Sequence, residues 1–481
     1  MTTTSTIPDT SRIYIGGRWQ PASSHDRIEV RNPATEEVIA HIPSGTEADI
    51  DAACEAAAAA LPVWSAVPAA QRAAACRAIA DGLEQRAEEL ADLITLDLGM
   101  PRPLSRAIQV GLAIKDFAAL ADAVETHEFE TTIGNSLVRS VPVGVVAAIT
   151  PWNFPLHQIA AKVGGALAAG ATVVLKPAGV TPLAAFVLAE IIDGLGLPRG
   201  VFNMVTGAGA RIGEALVRHP SVDMVSFTGS TGAGSRVASL AGERARPTSL
   251  ELGGKSPAVL LDDLDDTAYE KALRRVVSGS FINSGQMCSA LTRLVVPQRR
   301  VSLAEEVLTA AVSTFPVGDP FGDRTRMGPV VSDGQRSTVR GFIERAIADG
   351  VRLVHGGTDA PDGLEVGYYV RPTVFTDRGR QAEVSREEVF GPVLVLQPYD
   401  DLDDAVAIAN DTRYGLAAGV WGADSTLAES TAWRIRAGQV EVNGGQFNPA
   451  APFGGFGDSG YGREFGSFGL EDFLTTQSIQ R

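Results

Sequence analysis

The chain has 481 residues, 45% of them hydrophobic, which is enough for about three domains with large cores. Its 41 Lys and Arg against 57 Asp and Glu give a net charge of −16, which repels nucleic acid and anionic membrane and argues against both as partners. The first twenty residues are Thr- and Ser-rich without an apolar stretch, and no run reaches the roughly 18 apolar residues of a membrane span, so a cytoplasmic globular protein is expected.

From the N-terminus, the Ala-rich stretch from Ala52 to Ala91 reads as helix and carries no evident chemistry. His127 to Pro142 alternates around a Gly-Asn turn, as a hairpin does; such an exposed ribbon is a poor stand-alone structure, so another subunit should cover it. Next come five short apolar strands at Val143 to Ile149, Thr172 to Leu175, Phe202 to Val205, Met224 to Phe227 and Thr248 to Leu252. Helix-length segments separate them. That is βαβ repetition, which predicts parallel strands, with ligands bound beyond their carboxyl ends. Helical spacing of Tyr269, Leu273, Val276, Val277 and Phe281 stops at Asn283, Ser284 and Gly285, and a strand follows from Leu291 to Val296. Further strands are expected at Phe375 to Asp377, Val393 to Tyr399 and Gln439 to Asn443, with helices at Thr338 to Asp349 and Leu402 to Asn410.

Cys288 therefore sits on a loop between a helix and a strand. A lone cysteine is commonly a small buried hydrophobe, so its neighbours decide its role. Cys54 and Cys76 lie far off in Ala-rich segments, which leaves Cys288 free of a disulfide framework. The six histidines show no metal-ligand spacing with cysteine or carboxylate. Glu251 ends a strand and is followed by two glycines; beside a thiol it would serve as the base that activates water. In Pro151 to Pro155 two prolines stiffen the backbone around Asn153, whose amide could stabilise an oxyanion, although an ordinary turn asparagine fits too. After the second strand, Lys176 could hydrogen-bond ribose hydroxyls; after the fourth, Gly229 and Ser230 open a helix whose free amides suit a phosphate, or else form a flexible turn.

PWNFP, the Lys176-Pro177 step, FTGSTGAG, LELGGKSP, GQMC, EEVFGPV and PFGGFGDSGYGRE resemble, in order, the motifs of the aldehyde dehydrogenase family. The N-terminal IGGRW and RNPAT extend the resemblance to nearly the whole chain. It implies an α/β, aldehyde dehydrogenase-like fold with two parallel-sheet domains and a small β oligomerisation element. The dinucleotide-binding domain would take residues 1–122 and 143–253, the catalytic domain 254–458, and the oligomerisation element 123–142 with 459–481, the hairpin being joined by Thr475 to Ile479. A homodimer or homotetramer follows. The resemblance makes Cys288 the nucleophile, Asn153 and the Cys288 backbone N–H the oxyanion donors, and Glu251 the base. NAD would be held by Thr150, Pro151, Trp152, Lys176, Gly229, Ser230 and Leu252, with Glu388 on a ribose and Phe390 near the nicotinamide. An aldehyde would be oxidised through a thiohemiacetal and a thioester to the acid.

Phe154, His157, Gln158 and Ala161 fall at helical spacing and should line a substrate tunnel; Met287 and Ser289 flank the sulfur, and Phe447 could close the mouth. His157 either touches substrate or is a hydrogen-bonded wall residue. A broad aliphatic or aromatic aldehyde is expected. Gly179 replaces the family's usual acidic residue three positions after Lys176, so NADP should be accepted beside NAD; Gly457 replaces a frequent lysine. Cys288 follows a helix C-terminus, whose dipole opposes a thiolate, so activation must come from nearby amides, the cofactor or Glu251. Coenzyme A transfer, thiol hydrolysis without a cofactor and a silent binding protein are the competing readings. Glu251 argues against the first, the lack of a histidine base against the second, and the joint presence of Cys288, Glu251 and Asn153 against the third.

Overall fold

A computed structural model describes residues 7–481. The five strands expected in the first half form the parallel centre of an eight-stranded sheet, as Thr248–Glu251, Met224–Thr228, Val145–Ile149, Thr172–Lys176 and Phe202–Met204 in spatial order. Almost every residue in them is buried, which is why they read as continuous apolar runs rather than alternating ones. The chain lays strands outward from Val145–Ile149 in one direction, then returns to its other side with Met224–Thr228. The crevice beyond the carboxyl ends at that reversal is where a doubly wound sheet takes its ligand. Gly460–Tyr461 forms one antiparallel edge; Ile13–Ile15 and Arg18–Gln20 form the other.

The Ala-rich segment resolves into helices Glu47–Ser65, Ala69–Gln85 and Ala87–Leu98 around this sheet. Leu156 to Ala168, expected as one helix, is helical from Pro155 to Ala169 but contains a π-helical turn, Ala160–Gly164. One turn of that kind adds a residue and rotates every later side chain relative to an unbroken helix.

The second sheet has seven strands, with Pro257–Leu260, Arg293–Pro297, Thr373–Thr376, Val393–Tyr399, Ala417–Trp421 and Gln439–Val442 parallel and Arg352–His355 antiparallel at an edge. The strand expected from Leu291 starts at Arg293, because Ala290 N–H donates to the Met287 carbonyl and Thr292 N–H to the Ala290 carbonyl, holding the approach in turns. A third sheet joins the hairpin strands Glu130–Ile133 and Ser136–Pro142 to Leu474–Gln480. Ile133 and Ile479 are exposed on it. No helix among the described residues is long and apolar enough to cross a membrane.

Three residues before the cysteine segment, Asn283, Ser284 and Gly285, have φ of 51°, 58° and 75° in succession. A left-handed run of this length is costly for side-chain-bearing residues and must be held by its surroundings. The Ser284 hydroxyl donates to the Gly328 and Pro329 carbonyls at 2.8 and 3.0 Å, and a Cβ on Gly285 would lie 2.1 Å from the Gly391 carbonyl oxygen. Gly285→Ala should therefore lower stability by at least about 2 kcal/mol, seen as a lower thermal midpoint.

Candidate active site

Cys288 lies where the carboxyl ends of the first sheet meet the amino ends of the second. Glu251 ends a strand of one and Pro257 begins a strand of the other, and a Cβ on Gly254 between them would sit 2.5 Å from the Cys288 carbonyl oxygen. Cys288 is half-buried and packs, as Phe447 does, against the buried cluster Ala161, Leu416, Phe453 and Phe465. Met287 and Ser289 on either side are half-buried as well.

Asn153 reaches this loop. Its side-chain amide donates to the Gln286 carbonyl at 3.1 Å, while its own carbonyl accepts from Gln109 Nε2 at 3.1 Å and Asn283 Nδ2 at 2.8 Å. The backbone is thus fixed from two helical segments, and the second amide hydrogen meets no acceptor among the described residues. Gln109, in the π-helical turn Ser105–Val110, was not anticipated; nothing in the local sequence separates it from a surface glutamine.

Glu251 is 2% exposed, and neither carboxylate oxygen has a hydrogen-bond partner among the described residues. Burial, reinforced by the nearby Glu464 carboxylate, pushes its carboxyl well above the usual range. Glu464 itself is held by the buried Lys162 ammonium at 2.5 Å. Lys162 stands in the π-helical turn Ala160–Gly164, and a single lysine in an otherwise apolar helical run was the available signal for it. Burial also pushes the Cys288 thiol up, with the Glu388 and Glu251 carboxylates adding to the effect and the Ser289 backbone N–H opposing it. Of the sources of thiolate activation left open by the sequence, an amide is present but outweighed, and Glu251 works against the anion.

The expected cofactor residues surround the crevice. Lys176 is buried, its Nζ makes a single hydrogen bond among the described residues, to the Pro177 carbonyl at 3.4 Å, and burial pushes it down to about 8. Gly213 faces it from the helix Gly209–Arg218; a Cβ there would be 4.0 Å from Lys176 Cδ. Ser230 caps the twelve-residue helix Thr231–Gly242 by accepting from Ala233 N–H at 3.3 Å, and Gly229 N–H donates to the Glu251 carbonyl. Leu252 packs under Gly234 of that helix, where a Cβ would collide at 2.4 Å, and its N–H donates to the Ser459 carbonyl. Thr150 N–H donates to the Lys176 carbonyl, and Pro151 is half-buried beside it. Trp152 meets Phe390 edge-on at 5.3 Å. Glu388 accepts from Gly254 N–H at 3.0 Å and is pushed up to about 7 by burial, which that hydrogen bond and Lys255 resist. A Cβ on Gly253 would lie 2.2 Å from its carboxylate. Lys255, an unforeseen neighbour, is buried with no partner for its amine among the described residues.

On the far wall His157 Nδ1 lies 2.6 Å from Asp116 Oδ2. Its ring stacks on Phe465 at 4.9 Å and meets Phe154 and Phe447 edge-on at 6.2 Å each. Phe453, Phe465 and Leu416 complete a wall that sequence periodicity could not assemble, since they come from loops. Gly457, with φ of 59° and space for a Cβ only 2.5 Å from the Arg413 carbonyl, is a conformational glycine.

A doubly wound sheet with free amides and an unpaired lysine at its crevice, facing a thiol, a carboxamide and a buried carboxyl, defines a dinucleotide-binding α/β protein with covalent potential. The model of the aldehyde dehydrogenase family matches residues 19–479. A putative aldehyde dehydrogenase of Staphylococcus aureus (strain MSSA476) is 43% identical over 472 residues, 98% of each chain. Among solved structures, a mutant of aldehyde dehydrogenase C from Pseudomonas syringae, complexed with NAD+ and octanal, is 45% identical with a TM-score of 0.96, over 98% of this chain and 97% of that one. A Mycobacterium tuberculosis aldehyde dehydrogenase complexed with NAD+ is 39% identical with a TM-score of 0.95, over 98% of each. The chain belongs to the aldehyde dehydrogenase family.

Removing one member of a buried ion pair strands the other. Lys162→Ala should cost about 3–5 kcal/mol in denaturant unfolding. Adding Glu464→Gln to the same chain should return much of that loss, because the stranded charge is then gone.

Proposed function

We propose that this protein oxidises an aldehyde to the carboxylic acid with NAD+, through a covalent thioester on Cys288 hydrolysed by water that Glu251 activates. The observation that carries this reading is the convergence of the Cys288 loop, the Asn153 amide and the Glu251 carboxyl at one junction of two sheets. A dinucleotide fits the donor set: the amides opening the helix at Thr231 would hold its pyrophosphate, and Lys176 and Glu388 its riboses, with Thr150, Pro151, Trp152, Leu252 and Phe390 around them. Bound there, NAD+ would supply the hydride acceptor. The NAD+ complexes of the Pseudomonas and Mycobacterium relatives support the choice, and the octanal complex supports an apolar aldehyde.

The chain's own residues account for the remaining steps. The Cys288 sulfur adds to the carbonyl carbon, and the oxygen accepts hydrogen bonds from the unused Asn153 amide N–H and the Cys288 backbone N–H. Ala161, Phe154, Phe447, Phe453 and Phe465 exclude water from the apolar side. Glu251 takes a proton from the hydrolytic water, and the thiol leaves as the acid forms. The exposed three-stranded sheet, with Ile133 and Ile479 outward, supports assembly as a homodimer or homotetramer. The division into dinucleotide-binding, catalytic and oligomerisation parts, and a cytoplasmic location, belong to the same proposal.

Hydrolysis of p-nitrophenyl acetate tests the thiol and carboxyl steps without a cofactor. Both groups are pushed up by burial, so each stays protonated to higher pH than usual and the rate should climb from neutral into alkaline solution. Glu251→Gln should slow turnover by about 10²-fold or more and leave an acetyl group on Cys288, visible by intact mass. Activity that survives Cys288→Ala would remove the nucleophile from this scheme.

Gly179 lies 3.7 Å, at its hypothetical Cβ, from the Ile28 side chain, an ordinary contact that leaves room for a larger residue. With no carboxylate there, NADP should be used beside NAD. Gly179→Glu should raise the NAD over NADP ratio of kcat/KM by about tenfold, because a carboxylate repels a 2′-phosphate and accepts a ribose hydroxyl.

A further inference from the structure

The His157–Asp116 pair is buried chemistry that the oxidation scheme leaves unused. Asp116, on the helix Gly111–Thr126, is 1% exposed, and its Oδ1 has no partner among the described residues. Its Oδ2 is 2.6 Å from His157 Nδ1. Burial pushes the Asp116 carboxyl up. Burial alone would push the His157 cation down, yet the Asp116 carboxylate outweighs it and the imidazole moves up. Both directions favour a pair that keeps two protons and no net charge. A pair holding one proton would be an anion in an apolar wall that already faces the Glu464 carboxylate, and such an anion is disfavoured. With two protons, whichever atom carries the one between Nδ1 and Oδ2, the outer nitrogen Nε2 bears a hydrogen.

That hydrogen has no acceptor among the described residues, and Nε2 is not among the fully enclosed atoms of this largely buried side chain. The ring is gripped by Phe465, Phe447 and Phe154, and Phe465 belongs to the buried cluster against which both Cys288 and Phe447 pack. A single polar hydrogen in an aromatic wall beside the reacting sulfur is the arrangement by which a mostly apolar site orients its ligand.

We infer that His157 Nε2–H is a specificity-determining donor that receives a neutral oxygen acceptor, an ether, ketone or hydroxyl oxygen, carried on the hydrocarbon part of the aldehyde. The inference rests on the proposed aldehyde oxidation and names its substrate class. A carboxylate-bearing aldehyde is disfavoured, because the pair is neutral overall and Glu464 lies nearby. His157 acts on the bound substrate, while Asp116 is a positioning residue that fixes the tautomer and the ring.

Methoxy and ethyl groups are nearly the same size, so 2-, 3- and 4-methoxybenzaldehyde can be compared with the matching ethylbenzaldehydes, and the corresponding 3-arylpropanals likewise. The kcat/KM ratio within each pair is read by reduced-nicotinamide absorbance for the wild type, His157→Leu and His157→Gln. For at least one ring position, His157→Leu should lower the methoxy-to-ethyl ratio by about tenfold or more, and His157→Gln, which keeps an N–H donor, should recover part of it. Comparing the ratio between the wild type and each variant cancels the electronic difference between the two substituents. Should both members of every pair fall equally in His157→Leu, or should no ratio change, the donor role is overturned while aldehyde oxidation stands. Should the wild type reduce no cofactor with any of these aldehydes, the proposed function fails and takes this inference with it.

Discussion

Two glycines let the backbone of one sheet touch the loops of the other. Gly253 and Gly254 follow Glu251, and a methyl group on either would collide, at 2.2 Å with the Glu388 carboxylate or at 2.5 Å with the Cys288 carbonyl. The distance between thiol, carboxyl and cofactor crevice is set by that contact, because any side chain at these positions would wedge the sheets apart. Parallel sheets of this kind place ligands beyond their carboxyl ends. Here the first sheet obeys that rule, whereas the second offers its amino ends, and Cys288, Phe390 and Leu416 all lie just before its strands.

Close approach of the two sheets also decides the electrostatics. Glu251 and Glu464 share the junction with Lys162, Lys176 and Lys255, all of them buried, and with the half-buried Glu388. Lys162 and Glu464 answer each other as an ion pair; where no partner is present among the described residues, burial drives Glu251 toward its neutral acid and the Lys255 amine down to about 7. The thiol belongs to the same pattern. Surrounded by carboxyls and aromatic rings, it rests protonated, so a reactive sulfur requires either alkaline solution or a change in its surroundings on ligand binding. His157 and Asp116 settle the same conflict by sharing protons, which leaves one polar hydrogen in an otherwise apolar wall.

Much of this was readable from the chain. Five fully buried strands announced themselves as apolar runs at βαβ spacing, since strands covered on both faces cannot alternate. Cys288 was legible as a loop residue because Asn283, Ser284 and Gly285 break the helical stripe, and those residues take positive φ in succession. The hairpin was visible through its Gly-Asn turn. The strand expected from Leu291 was placed two residues early because turns at Met287 to Thr292 are made by backbone hydrogen bonds that no side-chain pattern reports. The single helix expected from Leu156 to Ala168 hid its π-helical turn for a related reason: periodicity tolerates one inserted residue over so short a span.

The sequence by itself determined which side chains are able to carry chemistry and where most strands and helices lie, because residue type and local spacing are properties of neighbouring positions. Only the tertiary structure decided that the thiol packs against Phe453, Phe465 and Leu416, that Lys162 answers Glu464 across 302 positions, and that His157 Nδ1 meets Asp116. Those relations arise between loops and helix faces far apart in the chain, where contact follows from how two sheets pack and not from any period along either one.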